Sequence, residues 1–413
     1  MINESESKEQ IIDILIIGAG PAGANLARLL GSGNNKREYS VCLLDKRRLD
    51  LPIDNKRQKA CGGLLSPDAQ KILAKLGLTL PASVLEDPQI FKVRTIDFDN
   101  KIERYYPRHY LNMDREKFDR YLFNLIPSSI DRRCGSIVTG IYARDGYWEV
   151  HYQETSPEVI AAYEIDSVHD PNQNIPHVIK TKFLVGADGA NSFVKRKCLP
   201  ENPSSKKYFS IQKWYTLKET LPYFTGIFDS EITDYYSWTI QKGDHLILGT
   251  AIPCDDSPQK SAEEKFEKLE RKISEHLGLY LGNPIKTEGA FIERTTRLKH
   301  LCFSGQVIDP EGNVLPLALL GEAAGATSPT SAEGFSYALM TSLKLFESLE
   351  SGINHAEKRF DLSCGEIRRN LILKQIKSPA MYWPKIRGAV MASGLTALKE
   401  PYKEYTHFSQ TTF

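Results

Sequence analysis

Apolar runs that end in glycine-rich turns and lead into helical patterns set the frame of this chain. Ile14–Ile17 is continuously apolar, as expected of a strand covered on both faces. Gly18-x-Gly20-x-x-Gly23 follows and opens a helix carrying Ala22, Ala24, Leu26, Ala27 and Leu30. A second apolar strand ends in Asp45. Apolar strands also precede Gly186-Ala187-Asp188-Gly189 and Gly321-Glu322, the latter leading through a turn at Pro329 to a long helix starting near Glu333. Residues 113–126 read as a helix with Arg115, Phe118, Asp119 and Leu122 on related turns.

A different pattern holds over 88–112 and 208–253. Apolar and polar residues alternate there around turns at Asp99-Asn100 and Lys242-Gly243-Asp244, which predicts an antiparallel sheet with one packed face. Aromatic residues crowd this region, including Tyr208, Trp214, Tyr235, Tyr236 and Trp238, as core or as the lining of an apolar cavity. Segment 154–177 has no period and reads as a surface insertion. Residues 352–413 read as helical and then irregular, and residues 379–395 are apolar and weakly basic. That segment suits packing on the core, a roof over a substrate tunnel, or contact with a membrane surface.

Composition narrows the class. A chain of 413 residues suggests two domains with a small third part. With 53 basic and 52 acidic residues the net charge is +1, which argues against a nucleic-acid groove. No apolar run reaches the ~18 residues of a membrane span. The polar N-terminus is unlike a targeting signal and reads as a disordered tail. Seven scattered cysteines without CxxC spacing point to a reducing cytoplasm, and nine dispersed histidines to no metal site.

The first glycine turn carries specific chemistry. Gly18 permits the tight turn, Gly20 admits a pyrophosphate to the backbone, and Gly23 lets helix and strand pack closely. Pro21 and Ala22 begin the helix whose free N–H groups and dipole favour phosphate. Asp45 lies 22 residues past Gly23, where a carboxylate accepts from an adenosine ribose. A structural βαβ unit without ligand is the plainer alternative.

A second short stretch, Cys61-Gly62-Gly63, lies beyond a polar basic loop (Lys46 to Lys59) and enters a helix capped by Ser66 with Pro67 at its first position. Paired glycines imply unusual dihedrals or a large group against the backbone. Cys61 is a small buried apolar side chain or a thiol beside a redox group.

Taken together, these segments resemble the FAD-binding framework of para-hydroxybenzoate-hydroxylase-type flavoproteins, and Cys-Gly-Gly before a Leu-Ser-Pro helix resembles the geranylgeranyl reductase family. The resemblance covers roughly residues 10–350. It implies an α/β fold with a Rossmann-like FAD-binding domain of the glutathione-reductase type, over 8–60, 111–200 and 300–351. That domain is interleaved with an antiparallel-sheet substrate domain, over 61–110 and 201–299, followed by a C-terminal helical segment over 352–413. It implies non-covalent FAD held by Gly18, Gly20, Pro21, Ala22, Gly23, Asp45, Lys46, Cys61, Gly62, Arg115, Val138, Asp188, Gly321, Glu322, Gly325, Gly334 and Phe335. Arg115 would sit by the pyrophosphate and Glu322 by the ribitol. The family has Gly-Asp where this chain has Gly321-Glu322, one methylene longer.

The helix entered near Gly334 would aim its N–H groups at the flavin, unless it is simply a capped helix. Cys61, Gly62 and Trp238 are the implied catalytic residues. The implied reaction is reduction of a carbon–carbon double bond in an apolar, isoprenoid-type substrate. Electrons would come from NAD(P)H or a carrier protein, because no second glycine fingerprint marks a dedicated nicotinamide domain. Aromatic hydroxylation is the alternative, and a non-catalytic lipid-binding flavoprotein a third reading. Halogenation is disfavoured, since the Trp-x-Trp-x-Ile-Pro pattern of flavin-dependent halogenases is reduced here to Tyr236-Ser237-Trp238-Thr239-Ile240-Gln241.

Overall fold

The computed structural model describes residues 11–33, 36–53, 59–154, 176–202, 206–217, 219–254 and 259–398. The strands in chain order are β1 (Ile11–Ile17), β2 (Val41–Asp45), β3 (Leu64–Leu65), β4 (Ile90–Asp97), β5 (Ile102–Asn112), β6 (Asp131–Cys134), β7 (Ser136–Arg144) and β8 (Tyr147–Glu154). They continue as β9 (Pro176–Gly186), β10 (Lys206–Thr216), β11 (Phe224–Phe228), β12 (Ser237–Lys242), β13 (His245–Pro253), β14 (Lys286–Arg294), β15 (Ser304–Ile308) and β16 (Val314–Leu319). The helices are α1 (Pro21–Gly31), α2 (Pro67–Lys75), α3 (Arg115–Asn124), α4 (Phe193–Cys198), α5 (Gln259–Leu277), α6 (Phe335–Leu349), α7 (Ala356–Ser363), α8 (Gly365–Lys377), α9 (Pro379–Tyr382) and α10 (Pro384–Ala392).

Two eight-stranded sheets organise the molecule. The first runs β15-β16-β9-β1-β2-β6, with the β7–β8 hairpin attached through β8 to β9. The register along its centre is parallel, Ile14 opposite both Val41 and Phe183. Ile14–Ile17 and Val41–Leu44 are apolar throughout because helices and loops cover both faces, and all are buried. Helices α1 and α6 cross this sheet side by side, joined by Asn25 Nδ2 donating to Ser342 Oγ at 2.7 Å.

The second sheet runs β14-β10-β13-β12-β11-β4-β5-β3, antiparallel except for the β4–β11 pair. Its pleat alternates as the sequence pattern requires. Ile211, Tyr215, Leu246 and Leu248 face α5 and pack with Phe266, Leu269 and Ile273. Tyr208 and Ala251 join Tyr235, Tyr236, Trp238 and Tyr382 in a separate aromatic cluster.

Residues 61–110 are shared between these bodies. Strands β4 and β5 belong to the second sheet, whereas Ala69, Ile72 and Leu73 of α2 join the core of the first and pack toward α6. Ser66 Oγ caps α2 by accepting from Ala69 N at 3.2 Å, as its Ser-Pro start predicts. Residues 155–175 of the expected insertion and residues 1–10 of the expected tail lie outside the described residues. Among the described residues no helix is long and apolar enough to cross a membrane.

Candidate functional site

The glycine turn between β1 and α1 separates packing from clearance. Gly18 has φ +105°, and a Cβ there would lie 2.5 Å from Ala187 O. A Cβ on Gly23 would lie 1.9 Å from Gly18 O. A Cβ on Gly20, by contrast, would meet nothing within 4 Å. Helix α1 starts at Pro21 with Gly20 as a cap that supplies no side-chain acceptor, and its first turn holds no acidic residue. The N–H ends and positive dipole of α1 therefore look onto open space beside Gly20, an arrangement suited to phosphate.

From the end of β2 a chain of charges runs to the Cys-Gly-Gly segment. Asp45 Oδ2 accepts from Ala19 N at 2.5 Å, and its Oδ1 accepts from Arg47 N at 2.7 Å. Arg47 Nη1 reaches Asp119 Oδ2 at 2.7 Å, and Arg115 Nε reaches Asp119 Oδ1 at 2.9 Å. Burial alone would push the Asp119 carboxyl up. Arg115 first and Arg47 second overcome this and hold it at about 2. Arg115 also donates from Nη1 to Cys61 Sγ at 3.6 Å and lies over the Phe335 ring, 4.7 Å from its centroid. Both Asp45 oxygens thus accept within the protein, from the glycine turn and from Arg47.

The two glycines after Cys61 have different reasons to be glycine. Gly63 takes φ +60°, and a Cβ there would lie 2.2 Å from Met113 O. Gly62 has no such dihedral; its Cβ would instead strike Ile240 Cδ1 at 2.5 Å. Ile240 belongs to a row on one face of β12, two residues apart, that faces this segment. Lys242, next in the row, donates from Nζ to Gly63 O at 3.1 Å, Asn112 Oδ1 at 2.5 Å and Met113 O at 2.7 Å. Burial without a carboxylate partner lowers its ammonium to about 8. Cys61, Lys59, Arg115 and Lys242 line a cavity of about 130 Å³ with Trp214 and Glu288.

Trp238 stands earlier in the same row but does not line that cavity. Its indole lies across Gly249, whose Cβ would come within 2.4 Å of it, and packs 5.7 Å from the Tyr236 ring. The buried Trp238 Nε1–H has no partner. The structure brings Cys61, Arg115 and Phe335 together and leaves Trp238 in the neighbouring aromatic cluster.

The remaining predicted residues fall into two groups. Asp188 turns inward, accepting from Ser192 Oγ and Phe193 N at 2.6 Å each, and so orders the entry to α4. Gly321 (φ +53°) and Gly325 (φ +78°) shape the turn after β16, where Gly325 passes His300 O too closely for a side chain. Burial pushes the half-buried Glu322 carboxyl up, against the pull of Lys59. Lys46 is exposed beyond β2, and Val138 is half-buried at an irregularity in β7.

At Gly334 a Cβ would again meet nothing within 4 Å. The α6 terminus is not wholly free, however, because Glu333 Oε1 accepts from Ser336 N at 2.8 Å. The carboxylate satisfies one of the terminal N–H groups of α6. Upstream, three consecutive carbonyls are gripped from outside the loop. Arg294 Nε donates to Pro329 O at 3.0 Å, Tyr382 Oη to Thr330 O at 2.6 Å and Tyr236 Oη to Ser331 O at 2.9 Å.

Lys242, Arg47 and Arg294 were not marked by sequence pattern. Lys242 ends a strand and reads as part of a turn; the signal available was its place two residues past Ile240 on the Trp238 face. Arg47 and Arg294 act through partners far off in sequence. Among the described residues no group of His, Cys, Asp and Glu is arranged to hold a metal ion.

The residues present fit FAD. Two helix starts border open space at Gly20 and Gly334, and the largely covered Arg115 stands between Cys61 and the α6 start. No protein-family model matches the chain. Protein CbrA of Escherichia coli O9:H4 is 33% identical over 401 residues, covering 97% of this chain and 98% of its own. Among solved structures, a geranylgeranyl bacteriochlorophyll reductase-like protein from Thermoplasma acidophilum aligns with a TM-score of 0.64 at 18% identity, over 94% of this chain and 89% of that one. PqsL of Pseudomonas aeruginosa, described as a probable FAD-dependent monooxygenase, aligns with a TM-score of 0.61 at 16% identity, over 93% and 100%. The fold is therefore that of FAD-dependent oxidoreductases.

Proposed function

The chain belongs to the CbrA family, and from that premise we propose that it is an FAD-dependent oxidoreductase that reduces carbon–carbon double bonds of an apolar, isoprenoid-type substrate. The observation that carries this reading is the setting of Cys61. Its sulfur accepts from Arg115 Nη1 at 3.6 Å and from Gly63 N at 3.5 Å, beside a cavity bounded by the second sheet and the start of α3. Two N–H donors hold the sulfur in one place beside the cavity, where a thiol can pass its proton to a bound substrate.

FAD, when bound and reduced by the electron donor, would supply the hydride for one carbon of the double bond. The protein does the rest. The starts of α1 and α6, with Arg115, provide positive ends for an anionic cofactor. Lys242 ties Gly63 and Met113 together, so the Cys-Gly-Gly segment is fixed relative to α3. Cys61 holds the proton for the second carbon. The aromatic cluster of Tyr235, Tyr236, Trp238 and Tyr382 offers an apolar wall that excludes water. Electrons reach the site from NAD(P)H or a carrier protein.

Anaerobic turnover of the reduced, FAD-loaded enzyme tests the reaction. Saturation of a polyprenyl substrate without air supports it. Product containing an oxygen atom from air identifies a hydroxylase instead, and a flavin that no donor reduces identifies a binding protein.

A further inference from the structure

The C-terminal helices form a strap with two unlike sides. Its inner side is tied to the body of the protein. Tyr382 donates to Thr330 O, Ser378 Oγ accepts from Arg294 Nη2 at 3.1 Å, and the buried Arg387 pairs with Asp97 at 2.8 Å. Its outer side is apolar and basic. Helix α8 exposes Arg369, Leu373, Ile376 and Lys377 at helical spacing. Beyond it Trp383, Ile386, Val390 and Leu395 are exposed, Trp383 by 61% and Leu395 by 70%. Apolar side chains this large and this close in sequence mark a surface that meets something other than water.

Charge tells what it meets. Residues 365–398 contain six basic residues against one acidic, Glu366 in the first turn of α8, which lies 3.9 Å from Lys344. Arg368, Lys374 and Arg387 turn to Asp361, Asp68 and Asp97 of the body. Arg369, Lys377 and Lys385 remain exposed among the apolar residues. A second copy of this face would bring like charges together. An anionic lipid surface complements it, taking the apolar side chains at the acyl boundary and the basic ones at the headgroups.

We propose that the outer face of α8–α10, with Trp383 and Leu395, docks this protein on anionic phospholipid bilayers. Exposed Trp383 directly follows Tyr382, which holds the loop before α6, so the docked face lies one residue from the loop at the site. An apolar substrate could then pass from the bilayer to the aromatic cluster without crossing water. This last step rests on the reductase reading, whereas docking does not.

Flotation or sedimentation of the full-length protein with vesicles tests docking without any turnover. Binding is expected to vesicles of phosphatidylethanolamine with phosphatidylglycerol, to fall at about 1 M salt, and to be weak on pure phosphatidylcholine. The double variant Lys377→Glu/Lys385→Glu should weaken it by at least about fivefold per basic residue removed, and Ile376→Ser/Trp383→Ser should abolish it with an unchanged melting temperature. Failure to bind phosphatidylglycerol vesicles, or equal binding by both variants, overturns the proposal. So does a lipid-free dimer that Ile376→Ser/Trp383→Ser dissociates, because the face then belongs to a second copy.

Discussion

Arg115 donates to the sulfur of Cys61 at 3.6 Å while the same guanidinium is anchored on the fully buried Asp119. The thiol is thereby fixed to α3 and, through Arg47 and Asp45, to the turn that opens α1. The cofactor turn and the thiol are parts of one hydrogen-bonded unit.

Cys61→Ser should leave the fold and the flavin content intact, since the volume change is small and Ser can accept from Arg115; a stability change below about 1 kcal/mol is expected. Anaerobic double-bond reduction should fall at least about tenfold, because a positioned proton donor contributes roughly 10²–10⁴ in rate. Wild-type kinetics in the serine variant would reduce the thiol to packing.

Asp119→Asn should destabilise strongly, by about 3–5 kcal/mol, because two arginines lose a buried carboxylate. The effect has a pH signature. Asp119 titrates at about 2 in the fold, below about 4 when unfolded. Its contribution is full above about pH 4 and is lost as pH falls toward 2. Melting temperatures of wild type and variant should therefore converge in that window; a gap that stays constant to low pH would place the stability elsewhere.

Lys242→Met is expected to show the same sense in a higher pH window. The folded ammonium titrates at about 8, below the unfolded value of about 10.4. Between those values the unfolded chain binds more protons, so stability rises with pH. The advantage of wild type over Lys242→Met should grow from pH 8 to pH 10. A shrinking or flat difference in urea titrations would contradict the buried, carbonyl-bound ammonium.

Much of this arrangement could be read from the chain alone, for local reasons. The glycine fingerprint, the Ser66-Pro67 helix start, the Asp99-Asn100 turn and the Lys242-Gly243-Asp244 hairpin each depend on a few adjacent residues and a regular period. What could not be read depends on packing between distant segments. A side chain at Gly62 would press on the tip of Ile240, 178 positions later. Gly249 is glycine because Trp238 of the next strand crosses it. The grip of Arg294, Tyr382 and Tyr236 on three successive carbonyls joins β14, the strap and β12 to one loop, and no spacing reveals it. The sequence pattern starts a helix near Glu333, whereas the helix begins at Phe335 and the Glu333 carboxylate accepts from its Ser336 N.

The three glycines of the first turn separate folding from cofactor binding. Gly18→Val and Gly23→Val should fail to give folded protein, because either side chain would run into backbone. Gly20→Val should fold with a circular-dichroism melting curve close to wild type, since its Cβ meets open space and its φ of −70° is ordinary. Unfolded Gly20→Val would show that this position serves packing.

The central claim is that this open space holds the pyrophosphate of FAD, and flavin analysis of the purified protein tests it most directly. Wild type should carry a flavin absorption spectrum, and denaturation should release about one FAD per chain. Gly20→Val, folded, should release none. Release of FMN or NAD, no nucleotide in wild type under FAD-supplemented conditions, or full FAD content in Gly20→Val would contradict the account.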